Sequence, residues 1–254
     1  MSHIYNNTFF DYIDGGARTS AQRMIETVQP WLNPRSVLDL GCGRGVWLAE
    51  WEAAGVDRLL GVDGDYVDQS QLAIASEKYM AADLTKPVRT HDRFDLAQSL
   101  EVGEHLPEEA AETLVASLVR GSDRVLFSAA VTGQGGEFHV NEQPLHFWQH
   151  LFALHGYTAF DCVRPELADK RDVEPWYRYN TVLYVNEAGR VGLPEEVLAT
   201  EVAHGEKVEN GGDMLWRMRR GIVQHLPRGM VTQIAQTRAA YLARAAQRQT
   251  RAEA

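Results

Sequence analysis

Ser36-Val37-Leu38-Asp39-Leu40-Gly41-Cys42-Gly43-Arg44-Gly45 begins as a short apolar run and stops at three glycines on alternate positions. Residues 36–40 read as a strand. Residues 46–54 then place apolar side chains at helical spacing and end at Gly55, a helix-stop signal. A strand that turns through glycine into a helix opens a βαβ unit, and the same alternation continues along the chain. Further strands are predicted at 58–62, 78–82, 94–100 and 124–129. Residues 108–120 form a helix with Ala111, Leu114, Val115 and Leu118 on one face, after Pro107 and up to Gly121. A helix at 144–155 closes at Gly156, and strands at 158–163 and 181–185 follow with no helix-length pattern between them. The expected architecture is a doubly wound α/β sheet: five parallel strands, then an antiparallel pair that reverses its edge.

The flanks differ in character. Residues 17–32 form a helix before the sheet, and Tyr5, Phe9, Phe10 and Tyr12 make an aromatic cluster ahead of it. After residue 186, helical stretches are expected at 194–203, 214–224 and 231–247 around a polar, glycine-rich segment at 204–213. The expected division is 1–16, 17–186 and 187–254.

Of the 254 residues, 44% are hydrophobic and 24% charged, ordinary globular values that exclude a largely disordered or collagen-like chain. No apolar run reaches the roughly 20 residues of a membrane span. The first sixteen residues lack a basic segment followed by an apolar core, so they are not read as a secretory signal. Two cysteines, Cys42 and Cys162, build no disulfide framework, and a reducing cytoplasm is the expected compartment. Net charge is −10, yet the stretch from Arg217 onward carries eight Arg and one acid, leaving about −17 on the rest. An acidic body excludes nucleic acid as the main partner. The basic tail reads as amphipathic helix packed by its apolar stripe on the body or on a second copy, without a membrane role.

The glycine spacing narrows the ligand. A dinucleotide fingerprint needs G-x-G-x-x-G/A, and its third position here is Val46. Asp39, two residues before Gly41, can receive a ligand ammonium directly or through water. Asp63 ends the second strand, where a carboxylate accepts both hydroxyls of a ribose. Asp83, after Ala81-Ala82, can accept an exocyclic amine while Leu84 packs on the ring. An ammonium, a ribose and an adenine in that order describe S-adenosylmethionine.

VLDLGCGRG, GVDGD, AADL and FDLAQSLEVGEHLP resemble the successive motifs of class I S-adenosylmethionine-dependent methyltransferases, over about residues 17–186. The resemblance implies a Rossmann-like seven-stranded sheet with its last strand antiparallel, and S-adenosylhomocysteine as product. It implies Gly41, Cys42 and Gly43 beside the methionine moiety, Asp63 and Gly64 at the ribose, and Ala82, Asp83 and Leu84 at the adenine. Ser99, Leu100 and Glu101 would line the sulfonium side, and the N-terminal aromatic segment would be a lid. Cys42 is expected to be a packing residue. The rival function is a cofactor-binding protein of the same fold with a scaffold or non-methylating role.

Glu101, Glu104 and His105 follow the fourth strand. Their E-x-x-E-H string has metal-set chemistry, but similar strings occur in the resembled family whatever the substrate, and no metal is assigned. His105 is a candidate base or orienting group. The loop Gly133-Gln134-Gly135-Gly136-Glu137-Phe138-His139-Val140-Asn141-Glu142-Gln143 overhangs the crevice of such a sheet. It offers His139 as base and Glu142 as acid toward a small-molecule acceptor, a hydroxyl or amine of a sugar or secondary metabolite. The alternative is that Asn141 caps the next helix and His139 packs locally. His146 and His150, at i and i+4, fall on the polar side of that helix and are read as solvated. Trp176 and Tyr177 are candidates to wall the acceptor pocket.

Overall fold

The computed structural model describes residues 7–227 and 229–237, with side chains from residue 16 onward. Of the proposed lid aromatics, Tyr5 lies outside the described residues, as does the tail beyond 237 with Tyr241 and Leu242, while Phe9, Phe10 and Tyr12 fall on the backbone of the first helix. Seven strands form one sheet: β1 (Ser36–Leu40), β2 (Arg58–Asp63), β3 (Tyr79–Ala81), β4 (Leu96–Leu100), β5 (Arg124–Ser128), β6 (Thr158–Phe160) and β7 (Val182–Val185). Their order is β3-β2-β1-β4-β5-β7-β6. The order reverses between β1 and β4, and an open α/β sheet carries its ligand crevice at the carboxyl ends beside that switch.

The central strands are buried along both faces, as parallel strands between two helical layers must be. Alternation sends Val37 to one layer and Leu38 and Leu40 to the other. The first layer holds α1 (Asn7–Leu32), α2 (Val46–Ala53), α5 (Val163–Leu167) and α6 (Pro175–Asn180). In α1, Ala21, Met24, Ile25, Val28 and Leu32 recur at helical spacing and are buried on the sheet. The second layer holds α3 (Ala111–Gly121) and α4 (Leu145–Leu154), which bury Leu114, Leu118, Trp148 and Phe152.

Several boundaries differ from the sequence expectation. The first helix begins at Asn7, so most of the segment set apart as 1–16 is the start of α1. β6 and β7 are antiparallel neighbours as expected, but β7 inserts between β5 and β6. The reversed strand is therefore internal, and β6 forms the edge. The link between them contains α5 and α6, five and six residues long, too short for a visible periodicity. Phe94 makes only an isolated bridge to Ser122, so β4 starts two residues later. The stretch at 194–203 contains a single turn, α7 (Glu195–Leu198).

The tail follows the helical expectation, with α8 (Met214–Val223) and helical residues 229–237, and its apolar stripe is divided: Val223, Val231 and Ile234 line a cavity of the body, while other members face solvent in the single chain. Met214, Leu215, Met218 and Ile222 face solvent, each at least 60% exposed. The side turned to the body carries arginine: Arg219 Nη1 donates to Gln134 O at 2.7 Å and Arg220 Nε to Thr132 O at 3.2 Å.

Phe152 stacks on Tyr184 with ring centroids 3.9 Å apart and 11° between planes, both fully buried. Phe152→Ala is expected to cost about 3–5 kcal/mol in urea unfolding. A cost below 1 kcal/mol would show that this layer does not hold the sheet.

Candidate active site

The turn after β1 is built by conformation and held by charge. Gly41 lies at φ +91°, and a Cβ there would come within 2.3 Å of Val102, so only glycine fits. Asp63, at the tip of β2, clasps the turn: Oδ2 accepts Gly43 N–H and Oδ1 accepts Gly64 N–H, both at 2.7 Å. Tyr66 also donates its hydroxyl to Oδ1. Burial pushes the Asp63 carboxyl up, and the bonds from Tyr66, Gly64 and Gly43 pull the other way.

Asp39 lies one layer deeper. Its Oδ2 accepts the Gln98 amide at 2.9 Å, and Gln98 Oε1 accepts Trp51 Nε1–H at 2.8 Å. Burial pushes the Asp39 carboxyl up to about 7, opposed by Gln98 and reinforced by Asp63. The Cys42 thiol is held well above its ordinary range by burial and then by Asp39 and Asp63, the environment of an inert packing residue. Asp83 accepts both the amide (3.0 Å) and the hydroxyl (2.6 Å) of Thr85 and pairs with Lys86 at 3.1 Å. Those hydrogen bonds bring its carboxyl down to about 2. Leu84 is buried in the second layer, and Ser99 is buried with its hydroxyl unpartnered.

Beside this turn opens a cavity of about 370 Å³. Gly41, Cys42, Gly43, Leu100 and Glu101 form one wall, and Glu104, His105 and His139 form another. Trp176 and Tyr177 of α6 lie on it, as do Trp216, Arg219 and Val223 of α8. Asp39, Asp63, Gly64, Ala82, Asp83, Leu84 and Ser99 are not on its wall.

Glu101 and Phe138 are the non-glycine residues held at φ +58°, conformations that persist only where the surroundings enforce them. Glu101 Oε2 accepts Gln134 Nε2 (2.8 Å) and Oε1 accepts Asn180 Nδ2 (3.3 Å), while Asn180 Nδ2 also donates to Gln134 Oε1 at 2.8 Å. Burial raises the Glu101 carboxyl against Gln134, Ser128 and Asn180. Glu104 is 1% exposed, and its carboxyl makes no well-formed hydrogen bond, with only marginal contacts to its own amide, the Ala130 amide and the Glu101 carboxyl. Burial, then the Glu101 charge, drives it well above the carboxylate range.

His139 Nδ1 lies 2.8 Å from Glu142 Oε1. Glu142 also accepts Gly135 N–H (2.7 Å) and Gly133 N–H (2.8 Å). Burial would raise the Glu142 carboxyl, but the His139 bond, its charge and the two amides together bring it down. An ionised carboxylate only accepts, so Nδ1 is the donor and Nε2 carries the free lone pair. The His105 ring stands edge-on to it, centroids 4.9 Å apart at 89°. Desolvation by the cavity wall, then the His139 charge, pushes His105 below the ordinary imidazole range although part of its surface stays exposed, and the bond to the Phe138 carbonyl opposes. Asn141 is not the cap of α4: Asn210 Oδ1 accepts Leu145 N–H at 3.0 Å, and Asn141 donates to Gly103 O.

The structure thus brings His139, His105, Glu101, Gly41, Cys42, Gly43 and Leu100 to one cavity, with Glu142 behind His139. Sequence reasoning missed Gln134 and Asn180, whose amides carry no pattern, and the wall made by α8, whose signal was obscured by its exposed apolar stripe. His146 and His150 are apart from this cluster, and His150 is exposed.

A glycine turn with an acid at the next strand tip, in a sheet of this order, is the arrangement of a Rossmann-like fold. Residues 16–130 match the model of a family described as a methyltransferase domain. No curated protein matches it. Among solved structures, it is similar to a TehB-like SAM-dependent methyltransferase from Corynebacterium glutamicum, at 19% identity and TM-score 0.46 over 66% of this chain and 88% of that one. It is similar to magnesium protoporphyrin IX methyltransferase from Synechocystis PCC 6803, with bound SAH, at 17% identity and TM-score 0.48 over 72% and 89%. It is also similar to the plantazolicin methyltransferase BpumL, at 15% identity and TM-score 0.49 over 70% and 90%. Among the described residues no helix is long and apolar enough to cross a membrane.

Asp39 gives a pH test. Its folded carboxyl holds a proton up to about pH 7, whereas in the unfolded chain it does so only below about 3.9. The stability this contributes is present at low pH and is lost as pH rises from about 4 through 7, up to about 4 kcal/mol in all. Asp39→Asn, which keeps an acceptor for Gln98, is expected to raise Tm clearly at pH 8 and little at pH 5. An equal change at both would contradict the buried-proton account.

The tail gives another. Removing residues 214–254 leaves every strand intact but removes the donors to Gln134 O and Thr132 O. Tm is expected to change little, while endoproteinase Glu-C cleavage after Glu137 accelerates at least about tenfold, as local opening allows. Unchanged cleavage would detach α8 from the loop.

Proposed function

We propose that this chain transfers a methyl group from S-adenosylmethionine to a hydroxyl or amine of a small molecule, a sugar or secondary metabolite, in the cytoplasm. The observation that carries the reading is the shared cavity: the glycine turn forms one wall, and His105 and a His139 oriented by Glu142 form the other. The volume is that of a small-molecule site. Tail arginines 219 and 220 are engaged with loop carbonyls, which fits a partner other than nucleic acid. Cys42 and Cys162 are free and buried, in keeping with a reducing compartment.

The cofactor supplies an electrophilic methyl on a sulfonium. The protein's task is to position two reactants and exclude water. In this reading Gly41, Cys42 and Gly43 pass beside the methionine moiety and Asp39 braces the turn from below. Asp63 and Gly64 take the ribose once the half-exposed Tyr66 releases Oδ1. Ala82, Asp83 and Leu84 border the adenine, and Ser99, Leu100 and Glu101 the sulfonium. His139 and His105 receive the acceptor's nucleophilic atom, with Glu142 as the positioning residue of His139. The methyl-transfer domain in this reading is residues 17–186, with the tail helices as an added wall and as the contact to a second copy.

Asp63→Ala is expected to weaken S-adenosylmethionine binding by about 2–4 kcal/mol in calorimetry, the loss of two charge-assisted bonds. Unchanged affinity would remove Asp63 from the site. With an acceptor found by screening hydroxyl and amine compounds for S-adenosylhomocysteine release, His139→Ala is expected to lower kcat by roughly 10²–10⁴ and leave cofactor affinity intact. Near-normal turnover would end its assignment, and cofactor binding without release for any acceptor would favour the scaffold role.

A further inference from the structure

Glu104 is the least explained residue of the cavity. A carboxyl 1% exposed, with only marginal amide contacts and a second carboxylate, Glu101, beside it, is costly to ionise unless something positive meets it. Its neighbours on the wall are two imidazoles. Glu104, His105 and His139 each offer one ligand atom, and these atoms lie within 4.8 Å of one another. Ligands about 2.1 Å from a common ion sit roughly 3–4 Å apart, so small ring rotations close the set.

The outer contacts have the pattern of a metal centre. A ligating imidazole donates its second nitrogen to a carboxylate or backbone carbonyl, which fixes the tautomer and the ring plane. His139 donates Nδ1–H to Glu142, itself fixed by two loop amides. His105 bonds the Phe138 carbonyl. The loop is pinned to the same turn, because Glu104 O accepts both Val140 N–H (2.8 Å) and Asn141 N–H (3.0 Å). Gly136 completes the arrangement: a Cβ there would lie 2.1 Å from His139 Nε2. The sequence left the E-x-x-E-H string without a metal, and only the fold adds His139 to it.

We propose that Glu104, His105 and His139 bind one divalent first-row transition cation, whose open positions face the cavity and take an oxygen of the acceptor. Two imidazoles and one carboxylate suit the Mn²⁺-to-Zn²⁺ series better than Mg²⁺ or Ca²⁺. The inference rests on the methyl-transfer reading and specifies its acceptor as a hydroxyl compound able to coordinate a cation. The acceptor O–H gives its proton to solvent water. Its oxygen forms the bond to the methyl carbon while the carbon–sulfur bond breaks and leaves its electron pair on sulfur. The products are a methyl ether, S-adenosylhomocysteine and a proton, and the cation keeps its oxidation state. His139 then acts as a ligand and not as the base.

The test uses the full chain stripped with chelator and titrated with Co²⁺, followed by visible absorption and calorimetry, with Mg²⁺ as comparison. One equivalent of Co²⁺ is expected to bind with ligand-field absorption, far more tightly than Mg²⁺. E104Q, H105A and H139A should each weaken it at least about tenfold, and E142Q by about 10–100-fold through His139. Circular dichroism checks that each variant is folded. Acetohydroxamate, a bidentate oxygen ligand, should shift the Co²⁺ spectrum in the wild type. No stoichiometric Co²⁺ binding would overturn the proposal. So would binding that survives H139A and E104Q but disappears in H146A/H150A, the surface pair on α4, or a spectrum indifferent to acetohydroxamate. Failure of the methyl-transfer reading shows separately, as absence of S-adenosylmethionine binding in the same preparation.

Discussion

The Asp63 carboxylate is the constraint on which the rest of the site depends. The turn after β1 needs left-handed backbone at Gly41, Gly43 and Gly45, a conformation with little intrinsic stability. Asp63 holds it from the neighbouring strand through Gly43 N–H and orders the next turn through Gly64 N–H. Register makes this geometry available: Asp39 pairs with Gly61 and Leu40 with Val62, so the tip of β2 ends level with the turn. A one-residue slip would turn Asp63 to the other face of the sheet and leave the turn without a clasp.

A second clasp holds the opposite wall. Glu101, in a left-handed conformation at the end of β4, gathers Gln134 from the loop and Asn180 from α6. Glu104 gathers the same loop through its backbone carbonyl. The two walls are thus anchored at adjacent strand tips, β1–β2 for one and β4 for the other, across the point where strand order reverses. Both are polar networks in a buried setting, where satisfied partners specify geometry and an unsatisfied one costs heavily. Glu104 stands out against that background.

Much of this was legible in the sequence because it rests on local rules. The strand–glycine–helix punctuation at 36–55 located β1, the turn and α2, and the acid at the tip of β2 followed from spacing alone. The loop at 133–143 announced its chemistry by composition, and the structure brings His139 and His105 edge to edge. What could not be read depended on long-range pairing. β7 inserts between β5 and β6 because α5 and α6 carry the chain back, and helices that short leave no periodic trace. The face that α8 turns to the body was not legible, because its exposed Met and Leu stripe looks like a buried face. Arginine bonds to loop carbonyls instead decide which side packs. Asn141 looked like a cap of α4, but Asn210, 65 residues away in sequence from Leu145, takes that role.

The central claim is that the strand tips seat the nucleoside so that its sulfur faces the wall of Glu104, His105 and His139. A crystal structure of the chain with S-adenosylhomocysteine tests it most directly. The account predicts both ribose hydroxyls on the Asp63 carboxylate, the Tyr66 hydroxyl displaced from it, and the sulfur opening onto the cavity between Glu101 and His139. A nucleoside bound elsewhere, with Tyr66 still on Asp63 and the cavity wall untouched, would contradict it.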